Sequence, residues 1–286
     1  MFLKENTLLH GTYRIVRFIN WAGFCCVYEA EHLMLQKKVS ITELFVGDSC
    51  YRDEVTAKIA VVVSKSGDWE RIRQKFIEEV RALCSVRYSG IVSVSDLFEE
   101  NGTVYYVMDY IGCSVESMID SAWPLPEDRA VDYIRQVSDI LKYIHSDNKL
   151  HLAIRPGNIY LEHNGTITID HVRLEETERM YDEFFYENID PEAPTPTTPP
   201  YEPPELCSGR SGYRGPSTDI YSLGATLYKM LTGITPLDAL TRIGEAMTPI
   251  PAYISESVQE AVTAAMELDW RKRPQTIEDF LMLLCE

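Results

Sequence analysis

The sequence predicts an α+β protein in which antiparallel strands come first and helices follow. Apolar and polar residues alternate along residues 13–19, which is the period of a half-buried strand. Asn101-Gly102 joins two further alternating runs, and Asn-Gly between such runs is the strongest short signal for a hairpin. Beyond Gly112 the apolar residues recur at helical spacing, as they do along residues 127–147. We therefore expect a sheet in the first part of the chain and a helical second part.

The individual elements follow from the same patterns. Strands are predicted at residues 13–19, 24–31, 38–45, 91–98 and 103–110. A long connection over residues 46–68 has strand character near Ala60 and leads into a helix that Ser66 or Asp68 can cap. Later helices are predicted at residues 114–120, 127–147, 215–233, 255–267 and 276–285, and a hairpin is predicted around Asn164-Gly165.

Composition limits the classes of partner. The chain has 286 residues, enough for one large two-lobed domain or two small ones, and a formal charge of −17. A nucleic-acid binder needs cations to displace phosphate counterions, so neither nucleic acid nor an anionic membrane is an expected partner. No apolar run reaches the ~18–20 residues needed to cross a bilayer, and the opening residues do not resemble a secretory signal. The seven cysteines lack metal spacing, and we interpret them as reduced, cytosolic thiols that are buried or half-buried.

The segment from Asp170 to Glu205 differs from the rest of the chain. It carries eleven acidic residues against two basic ones, and it ends in a proline-rich stretch that favours extended polyproline conformation. One interpretation is a solvated loop without fixed structure. The other is a recognition strip or a phosphorylation target at Thr195, Thr197 and Thr198. The residues alone leave both interpretations open.

The stretch from His151 to Asn158, followed by a hairpin that ends at Asp170, is the most informative part of the sequence. It reads His-Leu-Ala-Ile-Arg-Pro-Gly-Asn, and the amide of Asn158 and the carboxylate of Asp170 are oxygen ligands of the kind that Mg²⁺ prefers. The stretch resembles the catalytic loop and metal-binding strand of protein kinases, H-R-D-x-x-x-x-N followed by D-F-G. Further matching stretches are Pro203-Pro-Glu205, Asp219-Ile-Tyr-Ser-Leu-Gly and Arg273-Pro.

The resemblance runs from Gly11 to the end of the chain and looks closest to bacterial serine/threonine kinases of the Gram-positive type. It implies a bilobal fold with a small antiparallel five-stranded N-lobe and one helix over residues 1–112, hinge included. A mainly helical C-lobe over residues 113–286 would contain an activation-segment equivalent at residues 170–205. The resemblance also assigns structural roles: Glu79 is the glutamate of the regulatory helix, Glu205 and Arg273 form an ion pair, and Asp219 opens a buried helix.

The same resemblance shows where the chain departs from the family. Ala153 replaces the catalytic aspartate, Thr42 replaces the lysine of the third strand, and His171 replaces the phenylalanine of D-F-G. Asn20, Ala22 and Cys25 stand where the family has the three glycines of its phosphate loop. Their side chains would occupy the space of the phosphates. Rescue of the lost cation by Lys37 or Lys38 would need a register shift, because strand geometry places both far from Thr42. No catalytic residue is therefore assigned.

Residual nucleotide binding is assigned to the hinge residues Met108, Asp109 and Tyr110 together with Asn158 and Asp170, of which the last two are the candidate metal ligands. The resemblance implies a pseudokinase with weak or no binding of ATP and Mg²⁺ and no other cofactor. Its partner would be a protein, such as an active kinase for which it is a scaffold or an allosteric regulator.

Two alternatives stay open for the function. The first is a nucleotide-sensing pseudokinase that binds ATP and Mg²⁺ without phosphoryl transfer. The second is a low-activity atypical serine/threonine kinase in which an acid such as Glu43 or Glu162 replaces the missing base. We expect a cytoplasmic location and no direct contact of this domain with a membrane. Because related kinases often continue into a membrane anchor, the domain is also compatible with a longer, membrane-tethered protein.

Overall fold

The computed structural model describes residues 2–22, 24–47, 50–62, 66–85, 88, 90–110, 112–122, 124–162, 164–170, 173–174, 177, 180, 200–207 and 213–285. These residues group into two compact units. The first unit comprises the described residues within 1–87, 92–110 and 174–193. The second comprises those within 88–91, 111–173 and 194–286.

The first unit is built on an antiparallel sheet. In chain order its elements are β1 (Leu8–Leu9), β2 (Tyr13–Ala22), β3 (Cys25–His32), β4 (Lys37–Leu44), β5 (Cys50–Arg52), β6 (Ile59–Val61), α1 (Ser66–Ser85), β7 (Val94–Glu100) and β8 (Thr103–Asp109). Six strands form one sheet in the order β1-β2-β3-β4-β8-β7. The prediction of five strands is therefore one short, because the two-residue strand β1 is too brief to show an alternating pattern.

A two-stranded hairpin, β5–β6, occupies the long connection before α1. The sequence predicted strand character near Ala60 but gave no sign of the partner strand. The hairpin is anchored to the turn between β7 and β8, where the backbone N–H of Ile59 donates to the carbonyl oxygen of Asn101 at 2.7 Å. Gly102 in that turn has a φ of +78°, and a Cβ there would lie 3.0 Å from the carbonyl oxygen of Ile59. The turn therefore needs glycine both for its backbone conformation and for the close approach of the hairpin.

The second unit is mainly helical. Its elements are β9 (Cys113–Ser114), α2 (Val115–Ala122), α3 (Glu127–Ser146), β10 (Ile159–Leu161), β11 (Ile167–Ile169), α4 (Pro204–Cys207), α5 (Pro216–Thr232), α6 (Glu256–Ala265) and α7 (Ile277–Leu283). Helix α5 is buried along nearly its whole length and packs against α3 and α6. The helix predicted at residues 114–120 begins one residue later, because Cys113 and Ser114 pair with β10.

Two composition-based expectations can be compared with the fold. Among the described residues, no helix combines the length and apolar character that crossing a membrane would require.

Cys25, Cys26 and Cys50 are buried as expected, but Cys84, Cys113 and Cys285 are exposed, so burial was wrongly predicted for these three. Burial raises the pKa of both Cys26 and Cys50 to about 12, which keeps these thiols protonated and unreactive.

Candidate functional site

Asp219, at the start of α5, fixes the stretch that begins at His151. Its carboxylate is fully buried and accepts hydrogen bonds from the backbone N–H groups of His151 at 2.9 Å and Leu152 at 2.7 Å. The ring Nε2 of His145 lies 2.9 Å from the same carboxylate. Leu152 has a φ of +60°, which is rare for a bulky side chain. The two backbone contacts of Asp219 hold the chain at His151 and Leu152 in this conformation.

His151 connects this stretch to Asp170. Its Nδ1 accepts a hydrogen bond from the backbone N–H of Ala153 at 3.2 Å. The proton of a neutral imidazole must then be on Nε2, which lies 2.9 Å from the carbonyl oxygen of Asp170 and donates to it. The side chain of His151 is fully buried, so it is an internal strut of the loop.

Ala153, Asn158 and Asp170 are brought together in the second unit, as the resemblance implies. The side-chain amide of Asn158 donates to the carbonyl oxygen of Ala153 at 2.9 Å, and the backbone N–H of Asp170 donates to the carbonyl oxygen of Asn158 at 2.9 Å. The loop thus keeps a closed, hydrogen-bonded shape. The residue at its centre has only a methyl group, which can neither accept nor donate a proton.

The side-chain oxygen of Asn158 is engaged by a cation of the protein itself. Nε of Arg155 donates to Oδ1 of Asn158 at 3.2 Å. This oxygen is the atom that a metal ion would need from the amide, since the nitrogen cannot act as a ligand. Among the described residues there is also no group of three or more His, Cys, Asp and Glu side chains that could hold a metal ion. The contact with Arg155 therefore competes with a metal ion for this oxygen.

Thr42 lies in β4, within an unbroken pairing register. It is paired with Val27 of β3 and Tyr106 of β8, and only 3% of it is exposed. Lys37 pairs with Asp109 at 2.6 Å and Lys38 pairs with Glu29 at 2.7 Å. The hydrogen bond from Lys38 lowers the pKa of the Glu29 carboxyl. Because the register is unshifted and both lysines have partners near the start of β4, neither replaces the missing cation.

The predicted hinge residues form the end of β8, to which Met108 and Asp109 belong, and Tyr110 follows it directly. Met108 is buried and paired with Ser40 and Val94, while Asp109 is exposed and held by Lys37. The ring of Tyr110 lies under the ammonium group of Lys38, 5.3 Å from its centroid. The side chains of Asp109 and Tyr110 are therefore already in contact with the two lysines of β4.

Strand pairing joins the ends of β2 and β3, and an aromatic side chain packs beside them. Ala22 and Cys25 are paired across the hairpin, and Cys25 is buried. Phe24 is only 8% exposed, and its ring meets that of Phe76 on α1 edge to face, with centroids 6.4 Å apart. The sequence identified the lost glycines but not Phe24, because the pattern gives no sign that its ring turns towards α1.

Glu79 on α1 is bound by a residue that sequence reasoning did not identify. Its Oε2 accepts a hydrogen bond from the backbone N–H of Thr177 at 2.9 Å and another from the Thr177 hydroxyl. Thr177 is fully buried. The Glu79 carboxylate is therefore bound by a residue that lies seven positions beyond Asp170 in sequence.

The remaining candidates divide into one clear pair and a group outside the described residues. Arg273 donates to Glu205 through both Nη atoms, at 2.6 and 3.1 Å, and the guanidinium is fully buried. Arg173 pairs with Glu202 at 2.9 Å and so connects the two ends of the 170–205 segment. His171, Thr195, Thr197 and Thr198 lie outside the described residues.

The two units have the features of a protein-kinase-like fold. One unit is a sheet with one long helix, and the other is a helical unit with a buried aspartate and a loop that begins at His151. The chain belongs to the protein kinase domain family, whose model matches residues 48–284. The solved structure of PpkA-294 in its apo form superimposes with a TM-score of 0.80 at 23% identity and covers 99% of both chains. The predicted fold class is thereby confirmed.

Curated relatives are serine/threonine-protein kinases. The kinase PrkC of Bacillus subtilis (strain 168) is 26% identical over 95% of this chain and 40% of its own length. The kinase STK11 of Rattus norvegicus is 30% identical over 68% of this chain and 46% of its own length. This chain thus spans less than half the length of either relative. The family model matches only from residue 48, after β4. The match to PrkC covers 95% of the chain and so must include most of the strands before that residue.

Proposed function

We propose that this chain is a catalytically inactive kinase domain, a pseudokinase, that binds and regulates a protein partner in bacterial signalling. Ala153 is the observation that carries the proposal. In active kinases an aspartate of the catalytic loop accepts the proton of the substrate hydroxyl. Here the loop keeps its hydrogen bonds to Asp219 and Asn158 while that acceptor is gone. Loss of a general base lowers a rate by about 10²–10⁴.

The two acids that we considered as replacement bases are engaged elsewhere. Glu43 is fully buried, and its carboxylate accepts hydrogen bonds from Tyr28, Arg52 and Tyr105. Burial and the charge of Glu43 raise the pKa of both phenols, so they stay protonated and keep donating. Glu162 accepts a hydrogen bond from Thr168 at 2.7 Å. Both contacts argue against a rearranged active site built on either acid.

The parts that would hold a nucleotide are compromised in the same way. Thr42 supplies no cation, Ala22 and Cys25 replace glycines at the paired ends of β2 and β3, and Oδ1 of Asn158 already accepts from Arg155. These contacts support weak or no binding of ATP and Mg²⁺. They leave protein binding as the function that the retained fold favours, with an active kinase or another signalling protein as the partner. The free thiols of the described cysteines fit a reducing, cytoplasmic location.

Nucleotide binding and phosphoryl transfer can be tested separately. We expect no rise in the melting temperature of the purified chain when ATP and Mg²⁺ are added. We also expect no transfer of radiolabelled phosphate to the chain or to a generic protein substrate. Incorporation of label that Asp170→Ala abolishes would overturn the proposal and support a low-activity kinase.

A second candidate is a nucleotide sensor that binds ATP without turnover. The observation in its favour is the backbone contact that keeps Asp170 beside Asn158. A ligand at 100 times its dissociation constant stabilises a folded protein by about 2.7 kcal/mol, which is enough to move a melting temperature by several degrees. A rise of that size that disappears in Asp170→Ala, without label transfer, would favour the sensor over the inactive scaffold.

The partner-binding part of the proposal needs its own experiment. The chain is used as bait for cytosolic proteins of its source, alongside a variant that lacks residues 178–200. That deletion retains Thr177 and the Arg173–Glu202 ion pair. A partner captured by the full chain and lost from the variant would assign recognition to the acidic segment. Capture by neither would argue against a scaffold role.

A further inference from the structure

We infer that an N-terminal strap (residues 2–6) and the β5–β6 hairpin form one cover over a face of the six-stranded sheet, and that this cover holds the end of β2 in place without a ligand. The covered face is the one opposite α1. Successive residues of a strand point to opposite faces, and the ring of Tyr106 meets that of Phe76 on α1, with centroids 5.7 Å apart. The neighbouring Tyr105 therefore points to the other face, where its hydroxyl donates to Glu43.

The N-terminal strap packs on aromatic residues of β2. The ring of Phe2 stacks on that of Phe18, with centroids 4.0 Å apart, and meets the ring of Trp21 edge to face at 6.0 Å. At the other end of the strap, the backbone N–H of Asn6 donates to the carbonyl oxygen of Ile15 at 2.8 Å. Stacked and edge-to-face aromatic pairs stabilise a fold beyond the area that they bury. The strap is thus anchored on β2 at both of its ends.

Trp21 also contacts the chain that follows β4. Its ring meets that of Phe45 edge to face, with centroids 5.5 Å apart, and a Cβ at Gly47 would lie 3.0 Å from the Trp21 ring. The indole is therefore in contact with Phe2 and with the chain after β4 at once. Because Trp21 belongs to the end of β2, the cover acts on the part of the sheet where kinases have their phosphate loop.

A buried polar cluster joins the strap to the hairpin. The backbone N–H of Leu3, which is only 5% exposed, donates to the hydroxyl of Tyr28 at 3.3 Å, and that hydroxyl donates to Oε2 of Glu43 at 2.9 Å. Arg52 of β5 donates to the same carboxylate oxygen and to the carbonyl oxygen of Ala57. The side chains of Glu43 and Arg52 are both buried, and removing one partner of a buried ion pair is strongly destabilising. The strap and the hairpin therefore depend on one carboxylate.

A second contact between the two parts of the cover lies at the surface. Nζ of Lys4 donates to the carbonyl oxygen of Glu54, in the turn between β5 and β6, at 3.4 Å. This hydrogen bond is long and exposed, so it contributes little. The buried connection from Leu3 through Glu43 to the hairpin carries the coupling instead. Because both parts of the cover end on Glu43, we expect that loosening the strap also loosens the hairpin.

Hydrogen exchange in the absence of nucleotide and partner tests the cover. The inference goes beyond the proposed function, and the result does not depend on whether the domain is inactive. We expect the double variant Phe2→Ala/Leu3→Ala to speed amide exchange over residues 17–21 and 50–61 by about tenfold or more, because the strap loses its apolar contacts. Exchange in α1, on the opposite face, should stay within about twofold of the wild type. Leu8→Ala is the matched control, since Leu8 is 52% exposed, and it should change none of these regions.

The outcome in each region decides a separate part of the inference. Unchanged exchange over residues 17–21 would show that the strap does not hold the end of β2, and unchanged exchange over residues 50–61 would show that strap and hairpin are independent. Either result overturns the inference. If the double variant exchanges faster throughout, α1 included, Tyr28→Phe decides, because it keeps the ring and removes only the hydroxyl between Leu3 and Glu43. A larger acceleration over residues 50–61 than in α1 then supports the cover, and an equal change, or none, rejects it.

Discussion

At the scale of single residues, the fold depends on the buried side chain of Arg273. Its buried guanidinium binds Glu205 through two nitrogens and donates to the carbonyl oxygens of Ser217, Glu267 and Leu268. Breaking a buried ion pair by removing one partner costs about 3–5 kcal/mol, because the other charge stays buried. We expect Arg273→Met to lower the free energy of unfolding by about this amount, measured by urea denaturation.

Two comparisons give this prediction its specificity. Arg273→Lys keeps the charge but cannot reproduce the planar fork, so we expect it to recover only part of the loss. Arg271→Lys changes a neighbouring arginine whose ion pair with Asp269 is exposed to solvent, and little change is expected there. If Arg273→Met and Arg271→Lys alter unfolding equally, the Glu205 pair does not stabilise the fold as described.

The same scale shows what the sequence can and cannot predict about the candidate site. The positions of Ala153, Asn158 and Asp170 follow from a motif with fixed spacing, and the Glu205–Arg273 pair follows from two further motifs. Thr177 and Phe24 were not predicted. Their importance comes from contacts with Glu79 and Phe76, and such contacts depend on where a loop turns in space. No local pattern encodes that turn, so only the folded structure identifies them.

At the scale of elements, the crossing of α5 and α6 depends on a glycine. A Cβ at Gly224 would lie 2.6 Å from the Cβ of Ala265, closer than two carbon atoms can approach. Overpacking costs about 1–3 kcal/mol, whereas alanine gains up to about 1 kcal/mol over glycine in a helix. We expect the steric term to win, so that Gly224→Ala lowers the melting temperature in a calorimetric scan.

Helix α1 offers a matched control for that substitution. A Cβ at Gly67 would meet nothing within 4 Å, so Gly67→Ala tests the helix propensity without the steric term. Its melting temperature should stay unchanged or rise slightly. Equal behaviour of the two variants would mean that α6 moves away from α5 at no cost, contrary to the close packing of the helices.

At the same scale, the sequence failed to predict the shortest strands. The long strands and helices were predicted because their apolar residues repeat over several turns or alternations. Strand β1 and the hairpin β5–β6 have two or three residues in each strand, too few for a period to be recognised. What holds them in place is pairing with β2 and the contact of Ile59 with the turn at Asn101, and both are tertiary.

At the scale of the whole molecule, charge is the dominant feature. The 44 acidic residues exceed the 27 basic ones, which gives the formal charge of −17. A net charge this far from zero destabilises a compact state by self-repulsion. Raising the salt concentration from about 0.1 M to about 1 M shortens the screening length from about 10 Å to about 3 Å. We therefore expect the melting temperature at pH 7 to rise over this range of potassium chloride.

Salt also weakens ion pairs, which would lower the melting temperature. Whether this effect or the screening of self-repulsion is larger depends on where the ion pairs lie. Exposed pairs such as Lys37–Asp109 contribute little, while the buried pairs Arg52–Glu43 and Arg273–Glu205 are screened much less. Self-repulsion should therefore dominate. Near the sequence pI of about 4.8 the net charge approaches zero, and the rise should disappear there. A melting temperature that falls with salt at pH 7 would instead show that surface ion pairs stabilise this domain more than its excess charge destabilises it.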